Sequence, residues 1–397
     1  MVEWKEYTVA DVISTVIDYR GKTPKKLGGD WSDSGYRALS AKNIKTGKIV
    51  QVDSIRYVSE EMYKCWMKEE VQKEDILITS EAPFGQIYYW DSDEKIALSQ
   101  RLFAVRVNQL FYPKYIYFYM TSSFFQAELD GRVTGTTVVG LRQPELLKCK
   151  IYAPNYQEQK RIANTLWCLE QKINNNEAIN NNLEQQAQAI FSNEFLTLET
   201  LPNGWKQASL IDIADYLNGL AMQKYRPTAD EKGIRVLKIK ELRQGCCDDN
   251  SELCSPSIKS EYIIHDGDVI FSWSGSLLVD FWCGGICGLN QHLFKVTSNK
   301  YDKWFYYAWT KHHLDRFIAV AADKATTMGH IKRDELSKAE VLIPNEADYK
   351  RIGALLQPIY DLIIANRIEI KKLADTRDTL LPKLMSGEID MSEVDYE

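Results

Sequence analysis

The sequence predicts an α+β fold: two similar mixed α/β domains separated by two long antiparallel, coiled-coil-like helices, with an internal pseudo-two-fold. Three observations carry this. The stretch from Pro154 to Phe195 returns at the end of the chain as Pro344 to Met385, sharing Pro154/Pro344, Asn155/Asn345, Lys160/Lys350, Arg161/Arg351, Ile162/Ile352 and Leu166/Leu356. Each copy bears an apolar stripe at helical spacing, and the two segments outside these copies rerun one order of strand-like and helix-like pieces. The repeat places boundaries at 1–153 for the first domain, 154–198 for the central helix, 199–343 for the second domain and 344–397 for the closing helix and tail.

The long helices are read from their starts and seams. Asn155 with Glu158 three residues on has the form of a capping box, and Asn345 with Asp348 is its weaker counterpart. Thereafter Ile162, Leu166, Leu169, Ile173, Asn176, Asn180, Leu183, Ala187 and Ile190 alternate by four and three, the spacing that keeps one stripe on a partner helix. The second copy repeats the seam as Ile352, Leu356, Ile359, Ile363, Asn366, Ile370, Leu373, Arg377 and Leu380. An asparagine in a buried seam costs stability and fixes register, so in an antiparallel pair Asn176 and Asn366 are expected to face each other. About 40 residues at roughly 1.5 Å each make a rod of about 60 Å.

Bulk composition sets the class. With 397 residues, 45% hydrophobic and 26% charged, the chain has enough apolar material for two or three domain cores. It opens MVEWKEYTVAD and contains no run of eighteen apolar residues, so a cytoplasmic location is expected and secretion or membrane spanning is not. Eight cysteines without secretory context are expected to be reduced thiols. A net charge of −6 speaks against indiscriminate polyanion binding by the whole molecule, while leaving local basic patches open.

In chain order, Trp4 and TVADVISTVI lead to a basic loop holding Arg20, Lys22, Lys25, Lys26, Arg37, Lys42, Lys45 and Lys48 against Asp30 and Asp33. With its glycines and Pro24, that loop suits phosphate contacts. It could equally be a solvated loop with no partner. YRALSAKNI, KEDILITS, GQIYYW and QRLFAVRV read as strands, and YPKYIYFYMTSSFFQAEL as one packed helix of about five turns. RVTGTTVVGLRQPELLKCKIYAP then carries Arg132, Thr136, Thr137 and Arg142 into the first long helix. The second half follows suit. Trp205 answers Trp4, IRVLKIKELRQG answers YRALSAKNIKTG, GDVIFSW answers EDILITS, and Gln291 with Phe294 answers Gln100 with Phe103. Lys42/Lys240, Lys45/Arg243, Thr136/Thr326 and Thr137/Thr327 persist, whereas DYRGKTPKKLGGDW becomes DYLNGLAMQKYRP. A scaffold kept while matching loops are rewritten suits two readers of different targets.

With the order of motifs in view, the chain resembles the specificity subunits of type I restriction-modification enzymes. The residues that carry the resemblance are LPNGW at 201–205, the rod entry Pro154 to Ile162, and LLPKLMSGEID at 380–390. The resemblance implies two target-recognition domains, each reading one half of a bipartite double-stranded DNA site, with helices between them that set the spacing. It implies no catalysis in this chain. It also implies docking of two modification subunits, which use S-adenosylmethionine to methylate adenine, and of restriction subunits that translocate and cut. Two departures stand out: Tyr349 where the first copy has Gln159, expected to weaken a partner contact, and the Asn-rich 174–182 segment, expected to soften the middle of the rod.

The candidate DNA contacts are Lys22, Lys25, Lys26, Lys42, Lys45, Arg132, Thr136, Thr137 and Arg142 in the first domain, and Lys224, Arg226, Lys240, Arg243, Lys324, Thr326, Thr327 and Lys332 in the second. The helix-pairing set is Ile162, Leu166, Leu169, Ile173, Asn176 and Leu183 against Ile352, Leu356, Ile359, Ile363, Asn366 and Leu373. Other chemistries find little support. Gly21-Lys22-Thr23 lacks the upstream glycine of a phosphate-binding loop, Val16 standing there, and no amino-methyltransferase tetrapeptide or glycine-rich cofactor loop occurs. Pro144-Glu145 with Lys148 and Lys150 lacks the second acid of a nuclease. Cys246, Cys247, Cys254, Cys283 and Cys287 fit no standard zinc spacing, and His265 and His292 stand isolated. A self-sufficient DNA-modifying enzyme and a helical scaffold that binds no DNA are the rival classes, separated by a methyl-transfer assay and by footprinting.

Overall fold

The computed structural model describes residues 3–133, 140–323, 331 and 333–391. Thr136, Thr137, Lys324, Thr326, Thr327 and Lys332 therefore lie outside the described residues. The chain divides into two units, residues 1–171 with 374–397, and residues 172–373. Each long helix, Tyr156–Phe191 and Glu346–Met385, contributes one part to each unit, so a unit is one half of the repeat packed on two helical segments.

In the first unit the strands Ile13–Asp18, Leu102–Val107, Ile76–Thr79 and Ile87–Tyr89 form an antiparallel sheet in that order. Its pleat presents Ile76, Ile78, Phe103 and Val105 to a core shared with the helix Pro113–Thr121 and with Ile162, Leu166, Leu384 and Met385 of the long helices. The opposite face, through Leu77, Leu102 and Ala104, covers a second core built with Tyr63, Trp66 and Trp90. A three-stranded sheet of Arg56–Val58, Tyr36–Leu39 and Ala97–Leu98 closes this core. The edge strand Lys5–Thr8 pairs antiparallel with Lys150–Ala153, so the beginning of the unit is tied to the residues that lead into the first long helix.

The second unit repeats these relations. Asp215–Asn218, Leu293–Thr297, Val269–Ser272 and Leu278–Phe281 make the corresponding antiparallel sheet, and Lys206–Ser209 pairs with Glu340–Ile343. Its aromatic helix, Lys303–His312, buries Trp304, Phe305, Tyr307 and Trp309 against Ile352, Leu356 and Ile363. The equivalent aromatic stretch of the first unit is not the single helix of five turns expected. It is Pro113–Thr121 and Ser123–Asp130, broken at Ser122, which is extended (ψ 154°) and whose hydroxyl donates to the Tyr119 carbonyl at 2.6 Å. A serine that satisfies the backbone locally offers an alternative to the helical ladder.

Both long helices start where expected. The Asn155 and Asn345 side chains accept the Glu158 and Asp348 amides at 3.0 and 2.9 Å. The reciprocal half of the capping box is put to other use. Glu158 accepts the Met391 amide at 3.0 Å and holds the tail, while Asp348 accepts the Trp205 indole N–H at 2.9 Å. The helix runs without interruption through the Asn-rich 174–182 segment.

Asn176 and Asn366 do not meet either. In the second unit Asn366 donates to the Asn180 side chain at 2.9 Å, Asn180 reaches the Ile363 carbonyl at 3.4 Å, and Asn176 donates to Glu369 at 2.6 Å. The antiparallel register is set four residues, about one turn, from the one expected. The ion pairs Arg351–Glu194 (2.7 Å) and Arg367–Glu184 (2.8 Å) fit this register. In the first unit Arg377 of the second helix meets Glu170 of the first at 2.6 Å, again antiparallel.

Tyr349 also differs from expectation. Gln159 accepts the Tyr112 amide at 2.9 Å, and the Tyr349 hydroxyl accepts the Asp302 amide at 2.8 Å. Each residue thus caps the aromatic helix of its own unit, at Pro113–Thr121 and Lys303–His312 respectively. The substitution preserves an internal acceptor and does not remove a surface contact.

Beneath the second aromatic helix, His313 is buried and its Nε2–H donates to the Glu340 carbonyl at 2.8 Å. Burial holds its pKa below the ordinary histidine value, as it does for neighbouring His312. A depressed folded-state pKa contributes stability that is present above about pH 6.5 and is lost as pH falls through the folded value. Between pH 7.5 and 5.5 the chain is expected to lose more stability than a His313→Gln variant does, read from urea midpoints at the two values. An equal or larger loss in the variant would contradict this assignment.

Candidate nucleic-acid interface

The basic residues of the first unit are displayed by short, locally determined turns. Thr23 accepts the Lys26 amide and Pro24 opens the tight turn Pro24–Leu27, which leaves Lys25 and Lys26 exposed. Lys45 lies on the two-residue hairpin Ile44–Lys45 with Lys48–Ile49, whose turn uses Gly47 at φ +74°. Lys42 is exposed on the turn Ala41–Asn43, held by Asn43 accepting the Ser40 amide and hydroxyl at 3.1 and 2.8 Å.

Beside Lys42 a cavity of about 290 Å³ is lined by Trp31, Ser40, Lys42, Asn43, Arg56, Gln100 and Arg101 among others. The Arg56 guanidinium lies 5.0 Å from the centre of the Trp31 ring, a cation over an aromatic face. A second opening, about 510 Å³, is lined by Tyr19, Arg20, Lys22, Ser80, Glu81 and Arg101, so Arg101 borders both. Lys22 stands 4.5 Å over the Tyr19 ring and reaches the Trp66 carbonyl at 3.4 Å. Among the described residues Lys25, Lys42, Lys45 and Arg142 have no ion-pair partner. Arg132, by contrast, is committed to Glu128 at 3.0 Å.

In the second unit the predicted cations are more engaged. Lys240 pairs with Asp248 at 2.9 Å and Arg226 with Glu252 at 3.1 Å, while Lys224 and Arg243 are exposed and unpaired among the described residues. The structure thus brings Lys22 and Lys42 to the two openings of the first unit and puts Lys25, Lys26 and Lys45 on exposed turns. It adds Arg56, Gln100, Arg101 and Trp31, which the sequence reading left out. Gln100 was detectable, because Gln291 answers it in the repeat.

Of the helix-pairing residues, Ile162, Leu166, Ile173, Asn176, Ile352, Leu356, Ile363 and Asn366 are buried. Leu169, Leu183, Ile359 and Leu373 are half-buried. Among the described residues no group of three or more His, Cys, Asp or Glu side chains is placed to hold an ion. Burial pushes the thiols of Cys254 and Cys283 up to about 11, far from a reactive thiolate. The exposed cations, an aromatic face and side-chain amides make a surface that can hold phosphates and reach base edges.

Comparison with known proteins agrees in order and extent. The family model described as type I restriction modification DNA specificity domain matches residues 1–185 and again 202–373. The specificity subunit of the type I restriction enzyme MjaIX of Methanocaldococcus jannaschii is 25% identical over 347 residues, covering 81% of this chain and 79% of that one. The EcoKI specificity subunit of Escherichia coli is 24% identical over 337 residues, covering 79% of this chain and 70% of that one. The crystal structure of a type I restriction-modification S subunit from M. genitalium superposes with a TM-score of 0.62 at 15% identity over 96% of both chains, a likeness of fold.

Proposed function

This chain belongs to the specificity subunits of type I restriction-modification enzymes, the non-catalytic components that determine the DNA target, and from that premise we propose how its two units do so. Each unit reads one half of a bipartite double-stranded DNA site. The observation that carries this reading is the repeat itself: the four-stranded antiparallel sheet has one strand order in both units, the same edge pair ties each unit to its long helix and an asparagine opens each long helix, while the loops at matching positions differ in residue and charge. The chain acts with two modification subunits, which supply S-adenosylmethionine-dependent adenine methylation, and with restriction subunits. The cytoplasm, where the DNA is, is the site of action. Among the described residues no helix is long and apolar enough to cross a membrane.

Affinity is expected to come from phosphate neutralisation shared with the modification subunits, because the chain alone carries a net charge of −6. The isolated chain therefore binds DNA weakly and the assembled complex tightly and in a salt-dependent way. Within the complex, Lys42→Ala is expected to reduce the slope of log affinity against log salt by about one. Lys240→Ala reduces it by less, since Lys240 gives up its pair with Asp248 to reach a phosphate. Affinity measured across a salt series for the wild type and both variants tests this. Identical slopes in all three would remove these lysines from the interface.

A further inference from the structure

The two units share one structural slot whose chemistry has been exchanged, and we infer that it holds a base-reading pair in each. The central antiparallel strands begin their pairing at Leu102↔Thr79 in the first unit and at Leu293↔Ser272 in the second. The two residues before each central strand are Gln100-Arg101 and Gln291-His292, and the two after each neighbouring strand are Ser80-Glu81 and Trp273-Ser274. They leave the sheet side by side at the same end. In the first unit Arg101 Nε lies 3.0 Å from the Glu81 carboxylate as an ion pair; in the second, His292 Nδ1 lies 3.0 Å from the Ser274 hydroxyl. The same cross-loop link is thus made by an ion pair in one unit and by an imidazole–hydroxyl bond in the other.

The backbone around the slot is held in common. The Leu141 amide donates to the Ser80 carbonyl at 2.9 Å and the Ile331 amide to the Trp273 carbonyl at 3.1 Å. The Ser99 and Asn290 amides donate to the Leu39 and Leu237 carbonyls at 2.7 and 3.2 Å. The next residue of each loop is left-handed, Ala82 at φ +42° and Gly275 at φ +64°. Arg101 is itself left-handed at φ +63°, a conformation that costs an arginine energy and is retained at a surface position bordering both openings. The path is shared on both sides of the slot and differs at the reading residue itself, since His292 is not left-handed; a fixed glutamine, a changed neighbour and a changed orienting partner are what a scaffold needs to read different bases at one place.

The chemistry follows from the groups. A guanidinium offers two parallel N–H donors that match guanine O6 and N7, and a carboxamide matches adenine N6 and N7. Glu81 is the positioning residue that holds the Arg101 fork; the Arg101 side chain is still about half exposed. Arg101 accordingly specifies a guanine in one half-site, and His292, oriented by Ser274 and with Gln291 Nε2 3.3 Å from its Nε2, specifies a base in the other half-site.

This assignment rests on the proposed function and deepens it. The test uses the complete complex with its modification subunits, and maps methylated adenines by single-molecule sequencing on a plasmid library of randomised targets. The wild type should give a two-part target. Arg101→Ala and Arg101→Lys should each reduce discrimination at a single guanine position of one half-site from roughly tenfold or more to near one, with the other half-site unchanged. His292→Ala should do the same in the other half-site only. Unchanged base preference in the variants, or a uniform loss of methylation at all targets, would overturn the assignment and leave Arg101 a phosphate or structural residue. Arg101→Lys retains the charge beside Glu81, so its result stands even if the alanine variant fails to fold. A wild-type complex without any two-part preference would instead refute the function on which the assignment rests.

Discussion

Leu356→Ala and Leu166→Ala should each cost about 2–5 kcal/mol of stability, the cost of deleting a fully enclosed leucine and leaving the cavity behind. Both side chains are 0% exposed and occupy the same place in the two copies, one turn after the matched Ile352 and Ile162. Leu166 is in the core with Phe103, Tyr115 and Met385; Leu356 is in the core with Phe305, Trp304 and Ala187. Because each core joins a sheet, an aromatic helix and two segments of the long helices, loss of either leucine loosens sheet and helices together. Urea unfolding of the two variants reads the cost. A loss below about 1 kcal/mol in either would mean that the site collapses freely and that the helices are not part of that unit's core.

Arg367→Ala is expected to cost about 2–4 kcal/mol, discounted from a fully buried ion pair because its partners are roughly a quarter to a third exposed. The guanidinium joins three elements of the second unit, at 2.6 Å from Asp280 on the edge strand Leu278–Phe281 and 2.8 Å from Glu184 on the other long helix. Removal leaves Asp280 without its cation and Glu184 with only the longer pair to Lys311 at 3.7 Å, and the uncompensated charge is most of the cost. The triple change Arg367→Ala, Asp280→Asn, Glu184→Gln should therefore recover a substantial part of the loss. No recovery would show that Arg367 acts through the packing of its aliphatic stem and not through charge.

Much of this fold was legible because the chain states it twice. A strand-like run such as KEDILITS is ambiguous alone, but its reappearance as GDVIFSW at the corresponding place of the repeat marks both as inner strands of corresponding sheets. The helical seam was legible from period alone, since a stripe of Ile and Leu at four-three spacing has one way to be buried. What escaped were choices among near-equal local options. One turn of slip separates the Asn176–Asn366 pairing from the observed Asn180–Asn366 pairing, and apolar spacing is nearly the same in both registers. The break at Ser122 depends on one hydroxyl competing with a backbone amide for the Tyr119 carbonyl.

The candidate interface was half legible for a different reason. Charge runs point to lysines on loops, and Lys25, Lys42 and Lys45 are on exposed turns. Arg56 lies on the strand Arg56–Val58 and Arg101 on the turn before the strand Leu102–Val107, far apart in sequence, and only folding puts them at one cavity with Trp31. Gln159 and Tyr349 show the same limit from the other side. Unlike residues at matching positions suggested lost function, and the structure has both accepting the cap amide of an aromatic helix.

The central claim, that each unit specifies its own half of the target, is tested most directly by replacing residues 206–343 with residues 5–153, a block bounded in both copies by the same paired edge strands. Methylated adenines are then mapped in DNA exposed to the complex carrying the altered chain. The account predicts that the second half-site takes on the bases of the first; persistence of the original second half-site would contradict it.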